Sequence, residues 1–509
     1  MLFSKYILLT ILIIAFELFI IYLYEININK IICENKELTK KEYFKKFLIL
    51  FAIFFGIWFI SLLAHYPANM TSDTADQWAQ AIGLRTISTA HPAFISIYYR
   101  ILHNLGLGVF GIALIQVFIF SFVLTYIFMY FYTQRINYLF LCILSLIISI
   151  LPSSYLLVTT LWKDVPYTLF LLLMCFYTYR LIREKNNFLT IKNILLFSIS
   201  IIITYLTRHN GIGPLVFIII LLITYSITLK NYKPISIIII SLIVIKIITG
   251  PVFSYFKVDK GDGKPKDSTF VNTVIRSTGS LVYKGKTVKK EYLDIVETNL
   301  SKELLIKYYH PFNGDTYGFT KEVVDYLKEN SDKPVITTKN VLEIYLWELL
   351  HYPNIIIKER LDASSLFWTV FMPDGSFNHK YADGIYFPEN LDGEIVGVKL
   401  NDNNYYSNQN IVVKGLRLIN KIVEKVKIFD SIVWRSGLSL ILIIILSYIV
   451  IINKNTINLL SLLPMLGNMG TWILLMSHQS FRYVWYINII LFLFILISFT
   501  KGEQHEKIC

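Results

Sequence analysis

The chain has 509 residues, 55% of them hydrophobic and only 16% charged, with a mean hydropathy of +0.55. A water-soluble domain would leave too much of that apolar surface uncovered, so the composition points to a multi-spanning membrane protein. The formal charge of +13 comes largely from lysines in short loops; no basic run interleaved with aromatics suggests a nucleic-acid partner, and the balance fits membrane orientation and anionic lipid.

A transmembrane helix needs about 20 apolar residues. In chain order the candidate spans are 6–24, 47–64, 109–132, 139–158, 165–182, 191–207, 212–229, 234–250, 432–452, 456–476 and 483–499, about eleven in all. The first carries Glu17 in its middle and no small-residue cleavage site, and reads as a retained helix rather than a signal peptide. The fourth is interrupted by Pro152-Ser153-Ser154. Residues 93–107 are too short and too polar to cross and read as a helix lying in the interface. The expected architecture is an α-helical polytopic membrane protein with three regions. Residues 1–250 hold about eight spans and a large loop, 65–108. Residues 251–431, with turns at Gly261-Asp262-Gly263 and Pro373-Asp374-Gly375, form a mainly helical soluble domain. Residues 432–509 hold about three spans and a short tail.

Orientation follows from the loop cations. Lys30, Lys36, Lys40, Lys41, Lys45 and Lys46 share one side with Arg135, Arg180, Arg183, Lys185, Lys192, Lys230, Lys233, Lys454, Lys501 and Lys507. Taking that side as cytoplasm puts the N-terminus outside and the C-terminus inside, in a plasma membrane. Cys33, Cys142, Cys175 and Cys509 have neither metal-ligand nor redox spacing and read as free thiols.

This topology gathers five polar clusters at the outer boundary. The first is Asp73-Thr74-Ala75-Asp76 with His91-Pro92. A carboxylate there can deprotonate an acceptor hydroxyl or hold a divalent cation, Mg or Mn; equally, Asp73 can N-cap a helix over 74–82 with Asp76 at the third position. His91, fixed in direction by Pro92, can orient a base or bind phosphate. The second is Trp162-Lys163-Asp164, where Lys163 meets a phosphate or snorkels to headgroups, and Asp164 caps a helix or meets a sugar hydroxyl or metal. The third is Arg208-His209-Asn210-Gly211, an expensive pair of bases at an apolar boundary unless an anion joins them. The fourth is the 251–431 region itself. The fifth is His478-Gln479-Ser480-Phe481-Arg482, ahead of an aromatic belt, Tyr483-Val484-Trp485-Tyr486, that reads as an anchor. Asp73, Asp164 and His91 are the candidate catalytic residues; Lys163, Arg208, His209, Asn210, Arg482, His478 and Asp76 are the candidate substrate ligands.

Several of these segments resemble the GT-C type of membrane glycosyltransferase and, more narrowly, an uncharacterised bacterial family of multi-spanning proteins placed near it. They are Ser72-Asp73 through His91-Pro92, Leu161-Trp162-Lys163-Asp164-Val165-Pro166, Arg208-His209-Asn210-Gly211, Val274-Ile275-Arg276, and Tyr308-Tyr309-His310-Pro311-Phe312. The likeness runs from about 60 to 490. It implies transfer of a sugar from a polyprenyl-phosphate carrier to a cell-surface glycan or lipid acceptor, with Asp73 as base or metal ligand and Arg208, His209, Lys163 and Arg482 on the carrier phosphate. The 6–24 span departs from the pattern, because it moves the N-terminus outside. Two rival readings are a flippase for lipid-linked glycans and a polymerase or ligase of lipid-linked oligosaccharides. A transporter would place its ionisable groups nearer mid-membrane than these clusters lie.

Overall fold

The computed structural model describes residues 39–260, 269–330, 336–388, 391, 393–398 and 405–500. The expected 6–24 span with Glu17, the Gly261-Asp262-Gly263 turn, Cys33 and Cys509 lie outside them. The chain is mostly helical, as expected. Among the described residues six helices are long and apolar enough to cross a membrane: Lys40–Ala64, Val109–Thr133, Asp164–Phe188, His209–Leu229, Lys233–Tyr255 and Thr456–Leu475. Two bent pairs bring the number to eight if each is one span: Tyr138–Ile150 with Pro152–Val158, and Lys427–Trp434 with Gly437–Ile452, each bent by 69°. The expected spans 191–207 and 483–499 appear as shorter apolar helices, Ile191–Thr207 and Trp485–Ser498.

The breaks have local causes. Pro152 cannot continue the preceding helix and keeps Leu151 extended (φ −59°, ψ 127°). Pro251 has no N–H to donate, and the helix passes it in a wider π turn, Ile248–Val252, before running on to Tyr255. The expected domain boundary at 250/251 therefore falls inside a helix.

The helix Asp164–Glu184 is apolar on every side and stands at the centre, with Tyr167, Phe176, Tyr177 and Tyr179 all buried. It packs on Ile191–Thr207 and Trp485–Ser498. The helices Ile212–Leu229 and Leu463–Leu475 meet at Gly213 and Gly467, where a Cβ on either would collide with the other's carbonyl oxygen. Small residues let two membrane helices approach that closely.

The 251–431 stretch serves two cores. Val271, Val274, Leu281, Val296, Leu305, Ile344 and Ile356 build one of their own. Leu366, Phe367, Ala382, Ile385 and Trp434 instead join the core of the membrane helices. Cys142 and Cys175 are free thiols.

Candidate active site

Short backbone ladders, not helix packing alone, set the site. Asn69 pairs in parallel with Thr160, and Met70 with Ile385. Leu161 N–H donates to the Asn69 carbonyl at 2.9 Å, and Met70 N–H to the Gly384 carbonyl at 2.9 Å. Just beyond these bridges lie Lys163, two residues past Leu161, and the first turn of the helix Ser72–Ala81, which carries Asp73. The amphipathic helix Ala93–Asn104 packs on Ser72–Ala81 and delivers His91. A third bridge, His379 with Ser480, with Phe481 N–H donating to the His379 carbonyl at 2.9 Å, directs Arg482 to the same point.

There Arg482 Nη1 stands 3.4 Å and Lys163 Nζ 3.7 Å from Asp73 Oδ2, while His91 Nε2 is 3.8 Å from Asp73 Oδ1. Lys163 Nζ donates to His91 Nδ1 at 3.0 Å. Burial works against the Asp73 charge, but Arg482, Lys163 and His91 outweigh it and hold the carboxyl well below the usual carboxylate range. Burial, reinforced by Lys163, pushes His91 down to about 4 although Asp73 and Asp76 favour its charge, so the imidazole is neutral at neutral pH.

Behind this group Arg208 forms an ion pair with Asp164, which is 1% exposed. Arg208 Nε donates to Asn210 Oδ1 at 2.9 Å; Asn210 Nδ2 donates to Asn468 Oδ1 at 2.6 Å, as does the Tyr167 hydroxyl at 2.6 Å. The Arg208 guanidinium lies over the rings of Trp472 (4.7 Å) and Tyr483 (4.9 Å), and that of Arg482 over Tyr483 (5.1 Å) and Trp162 (5.2 Å). Tyr483 thus joins the two arginines. Its hydroxyl is 3.0 Å from His478 Nε2, whose Nδ1 is 3.1 Å from Asp315. Lys163, Arg208 and Arg482 expose 12%, 8% and 11% of their side chains, against 30% for Asp73 and 28% for His91, so the mouth of the site lies on the Asp73–His91 side.

The capping alternatives do not describe these carboxylates. The helix Ser72–Ala81 has Thr71 at its N-cap, whose hydroxyl makes no cap bond and accepts from Trp162 Nε1 at 2.7 Å; Asp73 sits inside the first turn, facing cations. Asp164 is likewise the first helical residue, paired with Arg208 rather than with its own backbone. Asp76 stands apart from the cluster, held by Arg85 and by Gln80 Nε2 at 2.7 Å. His209 is exposed and lies beside Lys163 and Arg208, outside the hydrogen bonds and ion pairs named above. Reading the residues alone missed Tyr483, Trp472, Tyr167, Asn468, Asp315 and His379. Tyr483 carried a signal, as a tyrosine directly following Arg482; Asn468 and His379 carried none.

Asp73 and Asp164 were the expected ligands of a divalent cation. As arranged they do not make a cation site: each carboxylate already faces one or two cationic side chains. Among the described residues no group of three or more His, Cys, Asp or Glu side chains gathers at metal-binding spacing. Three cations, Lys163, Arg208 and Arg482, gather at Asp73 and Asp164 against the rings of Trp162, Trp472 and Tyr483, with a third carboxylate, Asp315, farther out on His478. Such a site is suited to an anion with an apolar neighbour.

No protein-family description matches this chain, and neither a curated protein nor a solved structure is detectably similar to it.

Proposed function

We propose that the protein is a membrane glycosyltransferase that moves a sugar from a polyprenyl-phosphate donor to a cell-surface glycan or lipid acceptor, at the outer leaflet of the plasma membrane. The observation that carries this reading is the gathering of three cations, Lys163, Arg208 and Arg482, beside Asp73 and Asp164 against an aromatic wall. A lipid phosphate brings both an anion for these cations and an apolar tail for the membrane.

The displacement is single and inverting. Asp73 accepts the proton of the acceptor hydroxyl as that oxygen bonds to the anomeric carbon. The bond from that carbon to the phosphate oxygen breaks, its electron pair leaves with the phosphate, and Lys163, Arg208 and Arg482 neutralise the charge. A carboxylate surrounded by cations is a poor base. The carrier phosphate competes with Asp73 for Arg482 and Lys163, so donor binding itself raises the basicity of Asp73 and couples the two substrates in order.

The test compares cell-surface glycans in a deletion strain carrying either wild type or Asp73→Asn at matched membrane levels. Losing the proton acceptor is expected to lower transfer by about 10²–10⁴-fold, so one sugar substituent disappears in both the deletion and the Asp73→Asn strain. Full restoration by Asp73→Asn removes the base assignment. Unchanged glycans in every strain, the deletion included, remove the transferase reading, and a flippase for lipid-linked glycans would change them as well.

A further inference from the structure

The helix Ile411–Lys425 is amphipathic in an inverted sense. Its polar face is turned to the protein: Asn420 is buried, Arg417 Nε donates to Asp383 Oδ2 at 2.6 Å, and Glu424 is 3.3 Å from Lys380. Its apolar face is turned away. At 100° per residue Ile411, Val412, Leu418, Ile419, Ile422 and Val426 fall on one side, and Ile411, Leu418 and Ile422 are 85%, 60% and 52% exposed. Lys414, Lys421 and Lys425 form an exposed row along one flank of that face.

Both ends of this helix are tied to the ends of membrane helices. At its start Asn410 accepts from Val413 N–H at 2.9 Å, and its Nδ2 donates to the carbonyl of Ala64, the last residue of the Lys40–Ala64 span, at 2.7 Å. Beyond its last residue the chain enters Lys427–Trp434, which continues the exposed apolar side with Ile428, Phe429 and Ile432, and then bends by 69° into Gly437–Ile452. A helix about 22 Å long, held at both ends where spans stop, lies along the membrane boundary rather than in water.

We infer that Ile411–Lys425 is an interfacial lipid-binding helix whose apolar face enters the acyl region and whose lysine row binds the headgroups of anionic phospholipid. Continuity with the apolar surface of two spans argues for lipid as the occupant, and the lysine row argues for negative headgroups. The helix stands at the same end of the bundle as the site, because its anchor residue Ala64 lies in the segment leading to Asp73, and Asp383 on its polar face is one residue from the Gly384 ladder. The inference needs no particular chemistry at that site.

The test uses the full-length protein with its native cysteines changed to serine, in vesicles of equal amounts of phosphatidylcholine and phosphatidylglycerol. A nitroxide on a cysteine introduced at Leu418 or Ile422 is expected to meet dissolved oxygen freely and a water-soluble nickel complex poorly. Easy access by the nickel complex places the face in water and overturns the inference. Poor access by both reagents shows that protein covers the face, a second copy or another segment of the chain, and overturns it equally. For the headgroups, a bimane at 418 is expected to be quenched more strongly by nitroxide-labelled phosphatidylglycerol than by labelled phosphatidylcholine. That preference is lost when Lys414, Lys421 and Lys425 become Gln. Equal quenching by the two lipids in the unaltered protein rejects the anionic partner.

Discussion

Lys163 stands between a carboxylate and two arginines, and its proton is the most adjustable charge in the site. Burial lowers it to about 7; Asp73 pulls upward, and Arg482 and Arg208 push further down. An anion entering the site favours the charged form, so binding takes up a proton above pH 7 and not below it. On the proposed function, binding of the polyprenyl-phosphate sugar, a diester whose own charge is constant over this range, is expected to be strongest below about pH 7 and to weaken above it, by at most about tenfold per unit. Titrating affinity from about pH 6 to about pH 9 checks this, and Lys163→Arg, whose guanidinium keeps its charge, is expected to flatten the curve. Glu348 is a second displaced group, remote from the site. Burial raises it to about 7 although Ser277 and Thr278 donate to its carboxylate. Because its folded value lies above the ordinary 4.5, its contribution to stability is complete below that value and is lost as pH rises through about 7. Glu348→Gln is expected to stabilise the protein by about 1–3 kcal/mol above that pH and to leave its stability at low pH little changed. Thermal unfolding across pH measures it.

Among the elements, the segment 474–482 is gripped from the 271–356 core. Arg276, 1% exposed, donates from Nε to Glu359 Oε1 at 2.8 Å, from Nη2 to the Pro311 carbonyl at 3.0 Å, and to the carbonyl of Ser477. Arg360 pairs with the same Glu359 and donates to the Leu474 carbonyl at 3.1 Å. The grip holds the end of the Leu463–Leu475 helix and the turn that carries His478 and Arg482. Arg276→Met leaves the buried Glu359 charge half compensated and is expected to cost roughly 3–5 kcal/mol, with a fall in melting temperature and in transfer. Gly314→Ala probes the same contact by crowding, since its Cβ would meet the Ser477 carbonyl oxygen at 2.5 Å and Arg276 Nη1 at 2.6 Å, and is likewise expected to lower the melting temperature. Arg208 depends on a different contact, because Gly467 sets the distance between the Ile212–Leu229 helix and Trp472. Gly467→Ala must push the facing backbones apart and is expected to weaken phosphate binding with little change in the pH dependence that Lys163 imposes.

For the whole molecule, the loop cations and the contact-defined cluster make one joint prediction. The residues at the Asp73 end, together with the 271–356 core, face the cell exterior, and the loops at Lys185 and Lys230 face the cytoplasm. A cysteine introduced at Lys290 is expected to react with a membrane-impermeant maleimide on intact cells, whereas cysteines at Lys185 and Lys230 react only after permeabilisation. The reverse pattern moves the site to the cytoplasmic face and ends the outer-leaflet reading.

Hydropathy and punctuation by proline and charge were sufficient to recognise a helical membrane protein and to name Asp73, His91, Lys163, Arg208 and Arg482, because each interrupts an apolar run where a charge is costly. Helix breaks such as Pro152 were equally readable, being local consequences of one residue. Which acid joins the cluster of cations was decided only in three dimensions. Asp73 and Asp76 share one short motif, yet Asp73 meets Arg482 across 409 positions while Asp76 turns to Arg85. Tyr483 reads as an interfacial anchor by composition and becomes a bridge between two arginines only when Trp472 stacks on it at 4.2 Å. The lipid-facing helix Ile411–Lys425 shows the same division. Its amphipathic period is local and lies in the sequence, but which face is turned outward depends on Asp383 and Lys380 receiving its polar side. Pairings of that kind join residues far apart in the chain, and no local pattern encodes them.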